Sequence, residues 1–313
     1  MCLAHPRTRT MRHAGPDFAN SVHLSLLSGL SFPRSTMGTP ASSASWQPIT
    51  LGGVASFARA PIGRLVIVQF IVALLVAGSV SCFMAVAWFP VVGMAIERLP
   101  EKGAIRRGQL DWTGASPCLL AETSFLSVTV DVANSQPTGR SADVQLELHE
   151  GGFKIRSLFG SLTSPYPKDW TIALNRPEVE PRWGAWQPFL LVGIGVGVVI
   201  LVMAIWLVLA TFYSLPLRLL TFYSDRVVSW SGCWRMAGAA QLPGALLMSG
   251  GILLYGFNRL NLIGVLFAWL LHVVVAWIYI GCAPTRLSRL SGSPRRRDNP
   301  FGGAQRRRKR FGE

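Results

Sequence analysis

The chain has 313 residues, of which half are hydrophobic and only 14% are charged. A soluble domain usually carries about 25% charged residues, so the composition argues against a soluble globular protein and favours one that lies in a lipid bilayer. The formal net charge of +15 lies mainly at the two ends of the chain, which is typical of cytoplasmic flanks and argues against a specific nucleic-acid-binding surface.

Residues 1–64 are predicted to be a largely disordered cytoplasmic leader. They contain scattered Arg, Pro and His and no apolar run long enough to enter a membrane, and such a segment cannot bury a core. Two interpretations remain for residues 1–36: a disordered leader, or sequence upstream of a true start at Met37. The mass of the native amino terminus distinguishes them.

Residues 65–89 are predicted to form transmembrane helix 1. The segment has no charged residue and follows Arg59 and Arg64, and it is long enough to cross a hydrocarbon core of about 30 Å. A cleaved signal peptide has an apolar stretch of only about 7–15 residues near the amino terminus. We therefore expect an uncleaved membrane anchor.

Residues 90–185 are predicted to be an extracytoplasmic β-rich domain with a small antiparallel sheet. Apolar and polar residues alternate in several short segments, as in half-buried strands, and Glu150-Gly151-Gly152 is a turn signal that predicts a hairpin. The five expected strands are Ile105–Trp112, Phe125–Val132, Asp143–Leu148, Phe153–Arg156 and Trp170–Leu174.

No catalytic or metal-binding motif is found in this domain, so no enzyme activity, cofactor or metal is expected. The single histidine, His149, is interpreted as a solvent-exposed turn residue. Cys118 is the only cysteine there, which excludes an internal disulfide. Four carboxylates lie on or beside predicted strands, where solvent-facing positions account for them: Asp111, Glu122, Asp131 and Glu147.

Transmembrane helices 2, 3 and 4 are predicted over residues 186–212, 236–257 and 260–282. In the second, Gly193 and Gly197 form a small-xxx-small pair, which favours close packing against another helix or arises by chance. The third contains Pro243 and Gly244 and is expected to be kinked.

The cytoplasmic loop of residues 213–235 has two interpretations. Its leucines and arginines fit a short helix that lies on the membrane face. Alternatively, it extends transmembrane helix 2 and is interrupted by Pro216.

His272, in transmembrane helix 4, is the only ionisable side chain well inside a predicted span. Ionisable groups within a membrane are functional candidates. One interpretation is a structural hydrogen bond to Ser249 or to a backbone carbonyl. The other is a site for proton or ligand traffic.

Residues 283–313 are predicted to be a disordered polybasic cytoplasmic tail. Because the clusters lie near the membrane and have no interleaved aromatic residues, contact with anionic lipid headgroups is favoured over RNA binding. The basic residues that carry this expectation are Arg295, Arg296, Arg297, Arg306, Arg307, Arg308, Lys309 and Arg310.

The basic residues next to the spans also predict the topology, with both termini in the cytoplasm. The leader, the loop between helices 2 and 3, and the tail all carry arginines close to a span, whereas the domain between helices 1 and 2 is nearly neutral. Positive flanks stay in the cytoplasm.

Four short stretches resemble an uncharacterised family of bacterial four-pass inner-membrane proteins, some of which lie near maltodextrin-utilisation genes, and also the Yip-type membrane proteins. These stretches are Gly108-Gln109-Leu110, Val128–Asp131, Gly151-Gly152-Phe153 and Cys233–Pro243. The resemblance covers about residues 55–283. It implies the order of one span, a β-rich domain and three spans, and it implies no activity or site residues.

The sequence therefore predicts an α-helical membrane protein with four transmembrane helices and an extracytoplasmic β domain that binds a protein partner or ligand. Two alternatives remain open. One is a transport component that uses His272. The other is a membrane-bound hydrolase that acts through Asp131 and Glu147.

Overall fold

The computed structural model describes residues 47–133 and 142–288. In this part of the chain, four helical segments are long and apolar enough to cross a membrane: Ile62–Glu97, Arg176–Tyr223, Trp230–Gly256 and Leu262–Arg286. A small β domain lies between the first and the second. The predicted class, a multi-pass helical membrane protein with a β domain, is confirmed in this form.

The first segment is longer than predicted because it continues past residue 89 into the core of the β domain. It consists of helix α2 (Ile62–Phe83), a π-helical turn (Met84–Trp88) and helix α3 (Phe89–Glu97). A proline inside a helix removes a backbone donor, and here Pro90 is placed in the first turn of α3, directly after the π-helical turn. A short helix, α1 (Leu51–Ser56), precedes the segment.

Helix α4 (Arg176–Tyr223) has 48 residues, whereas the prediction covered residues 186–212. At about 1.5 Å per residue it is about 72 Å long, so both of its ends extend beyond a hydrocarbon core. Asn175 caps it by accepting a hydrogen bond from the Glu178 amide at 3.1 Å. Since the helix passes through Pro216 without a break, the first part of the predicted loop is a helical extension.

The third segment is broken, as its proline led us to expect, but the break lies at Gln241. Helix α5 (Trp230–Ala240) ends there and helix α6 (Leu242–Gly256) begins directly after it. Gly244 touches the next helix so closely that a Cβ atom would lie 2.5 Å from the His272 carbonyl oxygen. Helix α7 (Leu262–Cys282) completes the bundle and runs into a 3₁₀ turn, Ala283–Arg286.

The β domain has eight described strands in two sheets, where the sequence predicted five. The strands are β1 (Gly103–Arg106), β2 (Gln109–Trp112), β3 (Cys118–Glu122), β4 (Leu126–Val130), β5 (Val144–Leu148), β6 (Gly152–Ser157), β7 (Gly160–Pro165) and β8 (Ile172–Ala173). One sheet has the order β2-β1-β8, and the other has the order β3-β4-β5-β6-β7.

The predicted antiparallel pairing holds for all described strand pairs except one, because β4 and β5 are parallel. Residues 131–143 separate these two strands, and about a dozen residues are enough for a chain to return to the same end of a sheet. The predicted strand Ile105–Trp112 is in fact the hairpin β1–β2. It turns at Arg107 and Gly108, whose φ angles are 51° and 80°.

Two hydrophobic cores hold these parts together. The first joins the helices of the bundle through Leu65, Trp206 and Met236. The second joins α3 and the start of α4 to the larger sheet, through Ile96, Leu120, Val130 and the half-buried Trp183, among others. The β domain therefore shares its core with two of the membrane helices.

The basic flanks of the bundle meet at one end of it. Arg59 donates to the Ser288 hydroxyl at 2.5 Å, and Arg235 donates to the Ala58 carbonyl at 2.8 Å. The Arg226 side chain donates to the Leu287 carbonyl. The segments that the sequence assigned to one side of the membrane are thus in direct contact.

Candidate functional site

An unprotected edge strand is the most prominent surface feature of the described β domain. β7 is the last strand of the larger sheet, and no described strand pairs with its outer edge. Its residues carry no charge, and nearly all of them are exposed. Two large apolar side chains lie in or beside it, with Leu162 64% exposed and Phe159 82% exposed.

The outward backbone donors of β7 follow from the register of its hairpin with β6. A two-residue turn, Leu158-Phe159, joins the strands, and Ser157 pairs with Gly160. Beyond the hairpin, the Tyr166 amide donates to the Gly151 carbonyl at 3.2 Å. Since hydrogen-bonded and non-hydrogen-bonded pairs alternate along antiparallel strands, the amide of Thr163 points away from β6.

An open groove of about 480 Å³ lies beside this edge. It is lined by Thr163 and Ser164 of β7, Lys154 of β6, and the turn around Gly151 and Gly152. Gly152 is required for the close approach of β6 and β7, because a Cβ atom there would lie 2.4 Å from the Ser164 carbonyl oxygen. His149 and Glu150 also line it, so the groove offers hydroxyl groups, an ammonium group, an imidazole and a carboxylate next to the exposed strand.

Tyr166 follows β7 and is buried under the hairpin, with its ring 6.3 Å from that of Phe153. Its hydroxyl has no hydrogen-bond partner among the described residues. Burial disfavours the phenolate and raises the pKa of Tyr166 to about 12.

His149, which also lines the groove, lies close to the Glu147 carboxylate and to the backbone carbonyl of Asp131. Glu147 lies 3.1 Å from the Arg156 guanidinium and 3.6 Å from His149 Nε2. His149 Nδ1 lies 2.9 Å from the Asp131 carbonyl oxygen, and because a carbonyl can only accept, Nδ1 is the protonated nitrogen. Both ring nitrogens therefore face protein groups.

The expected exposure of these residues was partly wrong. Asp131 and Glu147 are buried, and the His149 side chain is only 16% exposed. Asp111 and Glu122 are exposed, in agreement with the prediction. Alternation along a strand cannot show which polar positions become covered, since that depends on what packs over the sheet.

A cluster of three aromatic rings joins the β domain to the helices. Phe125, in the turn before β4, lies edge-on against Phe83 of α2 at 5.7 Å and against Tyr255 of α6 at 4.9 Å. Phe83 and Tyr255 stack at 5.4 Å. Phe83 immediately precedes the π-helical turn, and such turns are frequent at functional positions in helices.

Two polar contacts support the same junction. The Tyr255 hydroxyl donates to the Asp143 carboxylate at 2.6 Å, and the Ser124 hydroxyl donates to the Asn258 side chain at 2.9 Å. An opening of about 450 Å³ lies beside these four residues. The turn between α6 and α7 is thereby tied to the turn before β4, and nothing in the local sequence indicates this contact.

His272 lines a cavity of about 210 Å³ between the helices. Its Nδ1 contacts the Trp269 carbonyl on its own helix, and Ser249 instead donates to the Ala245 carbonyl at 3.0 Å. The bond is therefore to a backbone carbonyl, which was one of the two structural partners considered. The cavity is mostly apolar, and Gln241 is among its other polar lining residues.

Gly193 and Gly197 do not approach another helix, because a Cβ atom at either position would meet nothing within 4 Å. The glycine between them, Gly195, has a Cβ position 3.3 Å from the Ser81 hydroxyl oxygen of α2. The spacing of the glycines was recognisable in the sequence, but it did not show that Gly195, rather than Gly193 and Gly197, faces α2.

The eight basic tail residues proposed to contact lipid lie outside the described residues, as do residues 1–46 of the leader. Within residues 47–133 and 142–288, no three His, Cys, Asp or Glu side chains are close enough together to hold a metal ion.

No protein-family model matches the chain, and no curated protein or solved structure is significantly similar to it.

Proposed function

We propose that this is a non-enzymatic protein of a bacterial inner membrane whose extracytoplasmic β domain binds an extended segment of a partner protein along β7. The exposed, uncharged edge of β7 is the observation that carries the proposal. Natural sheets usually protect such edges with charges, prolines, bulges or covering segments, and the proline of β7 is its last residue, Pro165. An extended peptide that adds a strand to a free edge gains backbone hydrogen bonds, and side-chain pockets give specificity.

The proposed orientation rests on charge. The end of the bundle where Arg59, Arg226 and Arg235 make their contacts is the basic end, and basic flanks remain in the cytoplasm. The β domain then faces the extracytoplasmic side. The resemblance to bacterial four-pass inner-membrane proteins supports the choice of membrane.

The junction supports a role in passing a binding event to the helices. A strand added at β7 extends the same sheet whose β4 end carries Phe125, and Phe125 packs on α2 and α6. The ring cluster therefore connects the sheet to which the partner would bind with two membrane helices.

The burial of the two candidate carboxylates argues against the hydrolase alternative. A general base must reach the proton that it removes, whereas Asp131 is only 6% exposed and Glu147 only 5% exposed. Glu147 is itself paired with Arg156. This pair is suited to holding β5 and β6 together.

The test of the proposal removes the outward donor of Thr163. A photo-crosslinking residue at Ser161 of the full-length protein is expected to form a crosslink to the partner in native membranes. Thr163→Pro removes one backbone hydrogen bond and is tolerated at an edge, and it should lower the crosslink yield about tenfold. Thr163→Val keeps the backbone amide and is the matched control.

The crosslinked segment, synthesised as a peptide, should then slow amide hydrogen exchange of β7 in the purified full-length protein. Equal crosslinking in the Thr163→Pro and Thr163→Val proteins would exclude strand addition. A crosslink only to lipid or to a second copy of this chain would exclude a separate partner.

Coupling is tested with the same peptide. Its binding should change amide exchange around Asn258, and Tyr255→Phe should weaken that change because it removes the bond to Asp143. Tyr223→Phe is the control, since Tyr223 is 81% exposed. An identical response in both variants would contradict a role of this contact in coupling, and it would leave the binding proposal unaffected.

A further inference from the structure

Gln241 is a buried side chain with an unused hydrogen-bond acceptor. It is 5% exposed and lies at the break between α5 and α6. Its Nε2 donates to the carbonyls of Trp206 and Ala237, both at 3.4 Å. These two bonds fix the amide orientation, and Oε1 then has no partner among the described residues. Leaving a buried acceptor unpaired costs about 1–3 kcal/mol.

His272 provides a second acceptor on the same cavity. Its Nδ1 contacts the Trp269 carbonyl, and because a carbonyl oxygen can only accept, Nδ1 carries the proton in the neutral ring. Nε2 is then an acceptor. Gln241 and His272 both line the cavity of about 210 Å³, and the rest of its wall is mainly apolar, including Trp206 and Ala276.

The size and lining of this cavity define the chemistry of its ligand. An apolar cavity of about 150 Å³ is large enough for benzene, so this one has room for a substituted ring. Two acceptors select a molecule that donates a hydrogen bond. The wall between α4 and α7 also contains the aromatic ring of Tyr213, which favours a planar ligand.

We propose that the cavity between α2, α4, α6 and α7 binds a lipid-soluble molecule with a hydroxyl group on an aromatic ring, and that the hydroxyl donates to Gln241. The ligand enters from the hydrocarbon phase, and it occupies a site distinct from the β7 edge. This site does not depend on the proposed partner of the β domain.

The test uses two photoreactive aryl diazirines that differ in one group, a phenolic hydroxyl in one and a methyl in the other. Each is added to the full-length protein in lipid nanodiscs, and labelling of residues 202–213 and 272–276 is measured by mass spectrometry. We expect the hydroxyl probe to label these segments about tenfold more, which corresponds to one hydrogen bond.

Gln241→Leu should reduce labelling by the hydroxyl probe to the level of the methyl probe. Gln69→Leu is the matched control, because Gln69 is also a buried glutamine of the bundle, at 6% exposure, but does not line this cavity. Its preference for the hydroxyl probe should remain tenfold. Ala276→Leu fills the cavity and should abolish labelling by both probes, which decides the matter if Gln241→Leu does not fold.

Competition between the hydroxyl probe and unlabelled alcohols shows whether the cavity prefers an aromatic or an aliphatic ligand. Unlabelled 4-ethylphenol should displace the hydroxyl probe, whereas decanol should not. Equal labelling by both probes in the unaltered protein would overturn the proposal, as would an unchanged preference after Gln241→Leu. Displacement by decanol but not by 4-ethylphenol would contradict the aromatic ligand and assign the cavity to a lipid alcohol.

Discussion

Glu147 and Gln241 are both buried polar side chains, but their surroundings give them different roles. Glu147 lies 3.1 Å from the Arg156 guanidinium, so its charge is compensated inside the β domain. Gln241 keeps one acceptor without a described partner, so it retains the capacity to bind something else. Neither property follows from residue type, since both depend on which backbone and side-chain groups the fold brings within about 3–4 Å.

Tyr166 gives a prediction at the scale of a single residue. In the unfolded chain it ionises near its ordinary pKa of 10.0, whereas in the folded protein its pKa is about 12. Its contribution to stability is complete below pH 10 and is lost as the pH rises to 12, because the unfolded state releases the proton first. The loss is expected to be about 2 kcal/mol.

Thermal unfolding of the full-length protein in detergent between pH 9 and pH 12 measures this. Tyr166→Phe should be at least as stable as the unaltered protein at neutral pH, since it removes an unpaired buried hydroxyl, and it should lose less stability above pH 10. Tyr223→Phe, at an exposed position, should follow the unaltered protein. Parallel pH profiles for all three proteins would contradict the prediction.

At the scale of elements, helices were easier to predict than strands. Uncharged stretches such as Leu65–Phe89 identify helices, because about 20 consecutive apolar residues are needed for a helix to cross the hydrocarbon core. The strand β7 was missed because Gly160–Pro165 has little apolar alternation, and it is defined by its ladder with β6. The end of the first helical segment was also underestimated, since α3 extends it to Glu97 and packs on the sheet.

Adjacent glycines test the β6–β7 pairing. Gly152→Ala should destabilise the hairpin by about 1–3 kcal/mol, because its Cβ atom would meet the Ser164 carbonyl at 2.4 Å, whereas the Cβ position at Gly151 meets nothing within 4 Å. Amide hydrogen exchange of β6 and β7 in the full-length protein measures the difference. Similar exchange in Gly152→Ala and Gly151→Ala would contradict the close approach.

A second glycine pair tests helix packing in the bundle. Gly244→Ala places a Cβ atom 2.5 Å from the His272 carbonyl oxygen of α7, whereas at Gly250 nothing lies within 4 Å. The first substitution should therefore separate α6 from α7 and lower stability by about 1–3 kcal/mol. The second should be neutral or mildly stabilising, because alanine has a higher helix propensity than glycine.

Denaturation by SDS in mixed micelles, followed by circular dichroism, compares the two variants. If Gly244→Ala and Gly250→Ala unfold at the same SDS fraction, the contact between α6 and α7 is looser than the distance implies.

At the scale of the whole molecule, the distribution of basic residues and the contacts between distant segments identify the same two ends of the helix bundle. Arg59 of the leader, Arg226 and Arg235 of the predicted loop, and their acceptors in the leader and the tail meet at one end of the bundle, and Ser124 meets Asn258 where the β domain joins it. This arrangement requires an even number of spans between Phe57 and Leu287. The distribution of arginines in the sequence predicts the same grouping of these segments at one end, and the side of the membrane on which that end lies stays a prediction.

Labelling of single cysteines tests this topology. Phe159→Cys, at the exposed tip of β6–β7, should react with a membrane-impermeant maleimide in intact spheroplasts of a bacterial host. Ser288→Cys should react only after permeabilisation. The parent protein provides the background from its own cysteines. Reaction of both variants in intact spheroplasts would contradict opposite sides.

The sequence by itself determined that this chain has four helices long and apolar enough to cross a membrane, a β domain and basic flanks, because hydrophobic length, strand alternation and charge are local properties of the chain. Only the tertiary structure decided that β7 is a free edge, that Phe125 joins the sheet to α2 and α6, and that Gln241 shares a cavity with His272. These features depend on residues far apart in sequence that come into contact, and no local pattern specifies which of them will meet.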